Sequence, residues 1–172
     1  MHVIQPIFII VFLVIIGLGI FVFLRNPKDC INKRFCIFAN VIALWIFLNF
    51  YVHLTTELEI ITFRIRLVFS IAIFIPPAFF FFSSVFPDRK ARPIDWYLYT
   101  FFFALSVLFA LSSPHIIQGM YIEKSSPKIR YGVLFNVFWL YFITCMSYSF
   151  YILYKKGKHF HGIKRLQVQY LY

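Results

Sequence analysis

Five apolar runs, Ile4–Leu24, Phe35–Leu54, Ile65–Phe86, Trp96–Leu111 and Val133–Tyr154, are separated by short polar segments. Each is close to the roughly 20 residues that a helix needs to cross the hydrocarbon core of a bilayer. The first runs from Ile7 to Leu24 without a charge. The pattern predicts an all-α fold: a polytopic transmembrane helix bundle of five full spans plus the start of a sixth. That sixth span begins at about residue 166, where apolar residues return in Ile163–Tyr172, IKRLQVQYLY. The whole chain, 1–172, reads as a single membrane domain, and its ending suggests a fragment of something longer. Neighbouring spans are joined closely enough to pack as antiparallel pairs. Only Ser112–Tyr131, which holds Pro114, Gly119 and Pro127, has the length for an external structure of any size.

Composition excludes the soluble alternative. Hydrophobic residues make up 62% of the chain and charged ones 13%, against roughly 25% charged in a soluble domain. A water-soluble fold of this length could not hide so much apolar surface in one core. The 25 Phe and 11 Tyr suit lipid-facing surfaces and interfacial belts. The first run is expected to stay as a span rather than be cleaved as a signal: it lacks a basic leading region, is too long, and no small-residue cleavage site follows.

The net charge of +11 comes from basic residues in the short loops, so anionic lipid headgroups are a nearer partner than nucleic acid. Twelve of the seventeen Lys and Arg lie in alternate loops. These are Arg25, Lys28, Lys33 and Arg34, then Arg89, Lys90 and Arg92, then Lys155, Lys156, Lys158, Lys164 and Arg165. The other side has Arg64, Arg66, Lys124, Lys128 and Arg130, with Glu57 and Glu59 nearby. The positive-inside rule then gives a multi-pass protein of the cell (inner, plasma) membrane with its N-terminus outside. Cys30, Cys36 and Cys145 do not make a disulfide framework, because the first two would face a reducing cytosol.

Candidate chemistry is sparse. Pro76 and Pro77, in the middle of the third run, lack N–H groups and leave the carbonyls of Ala72 and Ile73 without helical donors. Such a break is either a signalling hinge or a fixed kink that shapes the bundle. Arg64 and Arg66 at the outer start of that run anchor it, pair with Glu57 and Glu59, or bind an external anion. Trp45, Asn49 and His53 recur every four residues and share one helix face, either packing inside the bundle or lining a pocket. Asn136, Trp139 and Tyr141, followed by Thr144 and Tyr148, offer a similar set in the fifth run. Ser106 and Ala110 form a small-xxx-small pair in the fourth. His159 and His161 lack a carboxylate partner and read as a solvated loop; no metal site, cofactor or catalytic motif is expected. The acidic residues stay out of the span centres, against ion-coupled transport.

These features together resemble the N-terminal seven-transmembrane region found ahead of bacterial sensor histidine kinases. The likeness begins with NPKDCINKRFCIFANVIALW, which leads to Trp45. It is most specific in FRIRLVFSIAIFIPPAFFFFSSVFP, Phe63–Pro87, an arginine-led span with a mid-helix proline and a Phe-Pro end. It continues into RLQVQYLY. The resemblance implies spans that sense a signal and pass it to a cytoplasmic output domain. The sequence given has no phospho-acceptor helix, ATP-binding domain or cyclase domain, so neither catalysis nor ATP binding carries over.

The expected function is therefore a sensor or input region for signal transduction, not an enzyme. Its partners would be the lipid bilayer and either a second copy, as a homodimer, or a downstream signalling protein. A small membrane transporter or channel subunit is the alternative and predicts solute flux. An assembly factor predicts a stable co-purifying partner.

Overall fold

A computed structural model of the chain describes residues 4–87, 93–123 and 126–159. The sequence expectations for Arg89, Lys90, Arg92, Lys124, His161, Lys164, Arg165 and the sixth span lie outside those residues, as do the side chains of the His159–His161 pair. Five helical segments are long and apolar enough to cross a membrane. This is a multi-pass, all-α membrane protein with one small β-hairpin.

The elements are α1 (Ile4–Arg25), α2 (Cys30–Val52), α3 (Leu58–Ala72), α4 (Ile75–Ser83), α5 (Pro93–Leu111), a short α6 (Ser113–Ile116), strands β1 (Ile117–Glu123) and β2 (Ser126–Tyr131), and α7 (Phe135–His159). Helices α3 and α4 make up one span. At the basic end α1 finishes, α2 begins, α4 finishes and α5 begins. At the opposite end the β-hairpin fills the long segment between α5 and α7.

The helices are longer than the apolar runs. Asp29 Oδ1 accepts the Ile31 N–H at 3.0 Å and caps α2 five residues before the apolar run starts. Helix α3 likewise begins at Leu58, so Arg64 and Arg66 lie about two turns inside it rather than at its start. Hydropathy stops at the first charge, whereas the backbone keeps its hydrogen bonds and long cationic side chains fold back to polar partners.

The pair of prolines does break the third span. Helix α3 ends at Ala72, Ile73 and Phe74 form a turn, and Pro76 and Pro77 open α4. There a missing N–H is harmless, because the first turn of a helix has no internal acceptor for it. Helix α4 then sits at the centre, packed against α2, α5 and α7. Seven of its nine residues are buried, all from Pro76 on and including Phe79, Phe80 and Phe82. Helix α1 lies outside and packs chiefly on α2, where Gly19 comes so near Ala39 that an added methyl would stand 3.0 Å from its Cβ. Its other faces, with Ile10, Leu13, Val14 and Phe21, are exposed among the described residues.

In the hairpin, β1 and β2 pair antiparallel with an irregularity between Ile117 and Gly119. Gly132 closes it: its N–H donates to Ile116 O at 2.8 Å, and a Cβ there would run into the His115 carbonyl. Ile116 and Ile117 are buried in the main apolar cluster with Ile73, Phe109 and Phe138. The hairpin is therefore part of the bundle, not a loose loop.

Candidate functional site

The break between α3 and α4 organises three polar arrangements. At its heart, the Ile73 carbonyl, which Pro77 cannot serve, accepts the Ser106 hydroxyl of α5 at 3.1 Å. Ser106 Oγ is also 2.7 Å from Tyr141 Oη of α7, and both oxygens lie within 3.0 Å of Phe102 O. Ser106 is fully buried and Tyr141 nearly so. In hydrocarbon no water satisfies an orphaned carbonyl, so a neighbouring helix must do it. Sequence reading marked Ser106 only as a small residue. Its hydroxyl, at the same depth as a proline-freed carbonyl, was the available signal.

At the basic end α4 is held by two cations from other helices. Lys156 of α7 donates to the carbonyls of Ser83, Ser84 and Phe86 at 3.1, 2.7 and 2.9 Å. Buried Arg34 of α2 donates to Phe81 O and Ser84 Oγ, both at 2.9 Å. Its guanidinium lies 3.8 Å from the Phe81 ring centroid and 5.0 Å from that of Trp96. Positive charge at a helix C-terminus meets unsatisfied carbonyls and the negative end of the helix dipole. Arg34 and Lys156 were read from the sequence as loop charges.

At the hairpin end Arg64 and Arg66 diverge, as their spacing demands. Arg64 reaches back to α2, donating to Tyr51 O at 2.7 Å with its guanidinium 3.8 Å from the Tyr51 ring centroid. Its Nε is buried without a partner. Arg66 holds β1 through Ile117 O at 3.0 Å and Gln118 O at 2.7 Å. Both arginines thus bond backbone carbonyls rather than Glu57 or Glu59.

Between these ends a cleft of about 480 Å³ opens among α2, α3, the start of α4 and α7. Trp45 and Asn49 line it from α2, Trp139 with Phe138 and Phe142 from α7, and Ala72 and Ile75 from the two sides of the break. His53 does not join them: it ends α2, is exposed, and its ring centroid is 6.1 Å from that of Phe8. Nor do Asn136, Trp139 and Tyr141 act as one set. Two residues span about 200° of a helix, so Trp139 faces the cleft while Tyr141 faces Ser106; Asn136 is exposed on a third side. Among the described residues no group of His, Cys, Asp and Glu is arranged to hold a metal ion.

Comparison with known proteins gives one family. The model described as the N-terminal 7TM region of histidine kinase matches residues 7–172. No curated protein and no solved structure matches the chain.

Proposed function

Since the chain belongs to the family of N-terminal 7TM regions of histidine kinases, we propose that it is the sensor input region of a signalling receptor, with phosphoryl transfer carried out elsewhere. It works in the cell membrane with its N-terminus and β-hairpin outside and its basic end in the cytoplasm. The excess of Lys and Arg at that end supports this orientation. The input is a change in packing around the α3–α4 break, and the output is a displacement of α7 at the basic end. It is passed to a kinase domain on the same polypeptide or on a partner, in a homodimer or with a separate signalling protein.

The match over residues 7–172 carries this reading. The geometry adds a route. Helix α7 meets the break through Tyr141 and the far end of α4 through Lys156, so a tilt of α4 moves α7. A signal acts only through contacts that differ between the two arrangements. The cleft supplies them, since Ala72 and Ile75 flank the break and face the same space.

The test is phosphorylation in membranes from cells carrying the intact receptor gene. The Pro76→Ala, Pro77→Ala pair, which permits one unbroken helix, is expected to shift basal phosphorylation. Unchanged phosphorylation defeats the hinge. Solute flux through vesicles containing the chain, without any kinase linkage, defeats the sensor reading itself.

A further inference from the structure

We propose that a groove between the start of α3 and β1 binds a short zwitterionic peptide of dipeptide size. The assignment deepens the sensing reading by naming a ligand class, while binding itself needs no kinase.

The groove lies at the hairpin end and shares no lining residue with the cleft at the helix break. Its volume is about 310 Å³, at the lower end of the range for small-ligand pockets. Glu59, Thr62 and Arg66 line it from α3, and Gln118 and Gly119 from β1. Seven residues are within about 20° of two full helical turns, so Glu59 and Arg66 share one face of α3, about 10 Å apart along its axis. On β1, Gln118 falls at the strand irregularity. Ile117 pairs with Tyr131 and Gly119 with Arg130, so no residue stands opposite Gln118. An extra residue of this kind re-aims a side chain out of the regular alternation. At Gly119 an added Cβ would meet nothing within 4 Å, so that wall is open.

The polar groups of the groove are available to a ligand. Arg66 commits its Nε and one Nη2 hydrogen to Ile117 O and Gln118 O, which leaves the other N–H groups of the guanidinium. Among the described residues the Glu59 carboxylate, the Thr62 hydroxyl and the Gln118 side-chain amide have no partner, and Glu59 makes no ion pair with Arg66. One part of the groove therefore calls for a cation and another for a carboxylate. An anion alone would meet Glu59, a cation alone would meet Arg66, and a neutral sugar would use neither charge. An ammonium and a carboxylate on one molecule satisfy both. The two side chains stand too far apart for a direct ion pair, and Thr62 lies on the turn between them, able to bond an amide link. That spacing favours a dipeptide over a single amino acid. Phe63, which is exposed, and Met120 give its side chains apolar contact. Because Arg66 also holds β1, a bound carboxylate draws on the guanidinium that ties the hairpin to the helix ending at the break.

The chain in phosphatidylcholine nanodiscs, open to solvent at both ends, is titrated calorimetrically with Ala-Leu and Ala-Phe. Saturable binding to a single site is expected. N-acetyl-Ala-Leu and Ala-Leu amide, each lacking one charge, are expected to bind about tenfold more weakly or worse. Glu59→Gln, at an exposed residue, abolishes the preference for the free ammonium and keeps the preference for the free carboxylate. Gly119→Leu fills the groove and weakens both dipeptides about tenfold or more; should it disturb the hairpin, the Glu59→Gln comparison decides alone.

No saturable binding of either dipeptide overturns the proposal. So does equal affinity for the capped forms, or an ammonium preference that survives Glu59→Gln. Leucine binding as tightly as Ala-Leu overturns the peptide class. Phosphorylation that ignores the proline pair leaves a positive titration intact, and a negative titration leaves the proline test intact, so the two readings fail separately.

Discussion

Ser106 and Tyr141 show how one residue pair can decide whether a proline break is tolerable. A carbonyl left unpaired in hydrocarbon costs several kcal/mol, and the Ser106 hydroxyl removes that penalty at Ile73. Ser106→Ala is expected to lower stability by about 1–2 kcal/mol, the upper part of the range for polar contacts between membrane helices. Tyr141→Phe leaves the Ser106–Ile73 bond in place and has the smaller effect. A double-mutant cycle, read by SDS-induced unfolding in mixed micelles, gives their coupling; additive effects would mean that the hydroxyls do not act together. Gly132 decides in a different way. With the His115 carbonyl where its Cβ would be, Gly132→Ala is expected to open the hairpin and speed proteolysis between α5 and α7. The apolar runs said nothing of either residue, because hydropathy grades a serine by what it is and not by what lies opposite.

Among the elements, α4 is the one the others grip. Replacing Lys156 with Met removes three hydrogen bonds from a charged donor to the end of that helix. It is expected to destabilise the bundle by about 1–3 kcal/mol, measured in the same unfolding assay. Lys155→Met, an exposed neighbour, is the control and should change little. The five spans and the broken helix were legible in the sequence because length and proline chemistry are local properties. The grip was not. Lys155, Lys156 and Lys158 look alike as a basic stretch, and only the turn of α7 selects Lys156 to reach α4. The stripe Trp45–Asn49–His53 was legible as a face, yet α2 ends before His53 can share it. The fifth-span trio was split by two-residue spacing, which no strip of one helix accommodates.

For the whole molecule the deciding property is which end faces the cytoplasm. Single cysteines at Gln118 in the hairpin and at Lys155 near the end of α7, in a chain with Cys30, Cys36 and Cys145 replaced by Ala, measure it directly. A membrane-impermeant maleimide applied to intact cells is expected to label the first and spare the second. The reverse pattern would invert the proposed orientation and move the cleft to the cytoplasmic half of the bilayer.

Helix α1 meets the rest of the protein chiefly through α2, on a close seam at Gly19 and Ala39. Its partner is therefore complete as soon as Val52 has left the ribosome. The first two spans can enter the bilayer as a finished pair before α4 has been translated, presenting the free side of α2 as a template. Every later helix docks on a surface already in place, so the orientation proposed from the first four cations would be inherited by the later spans.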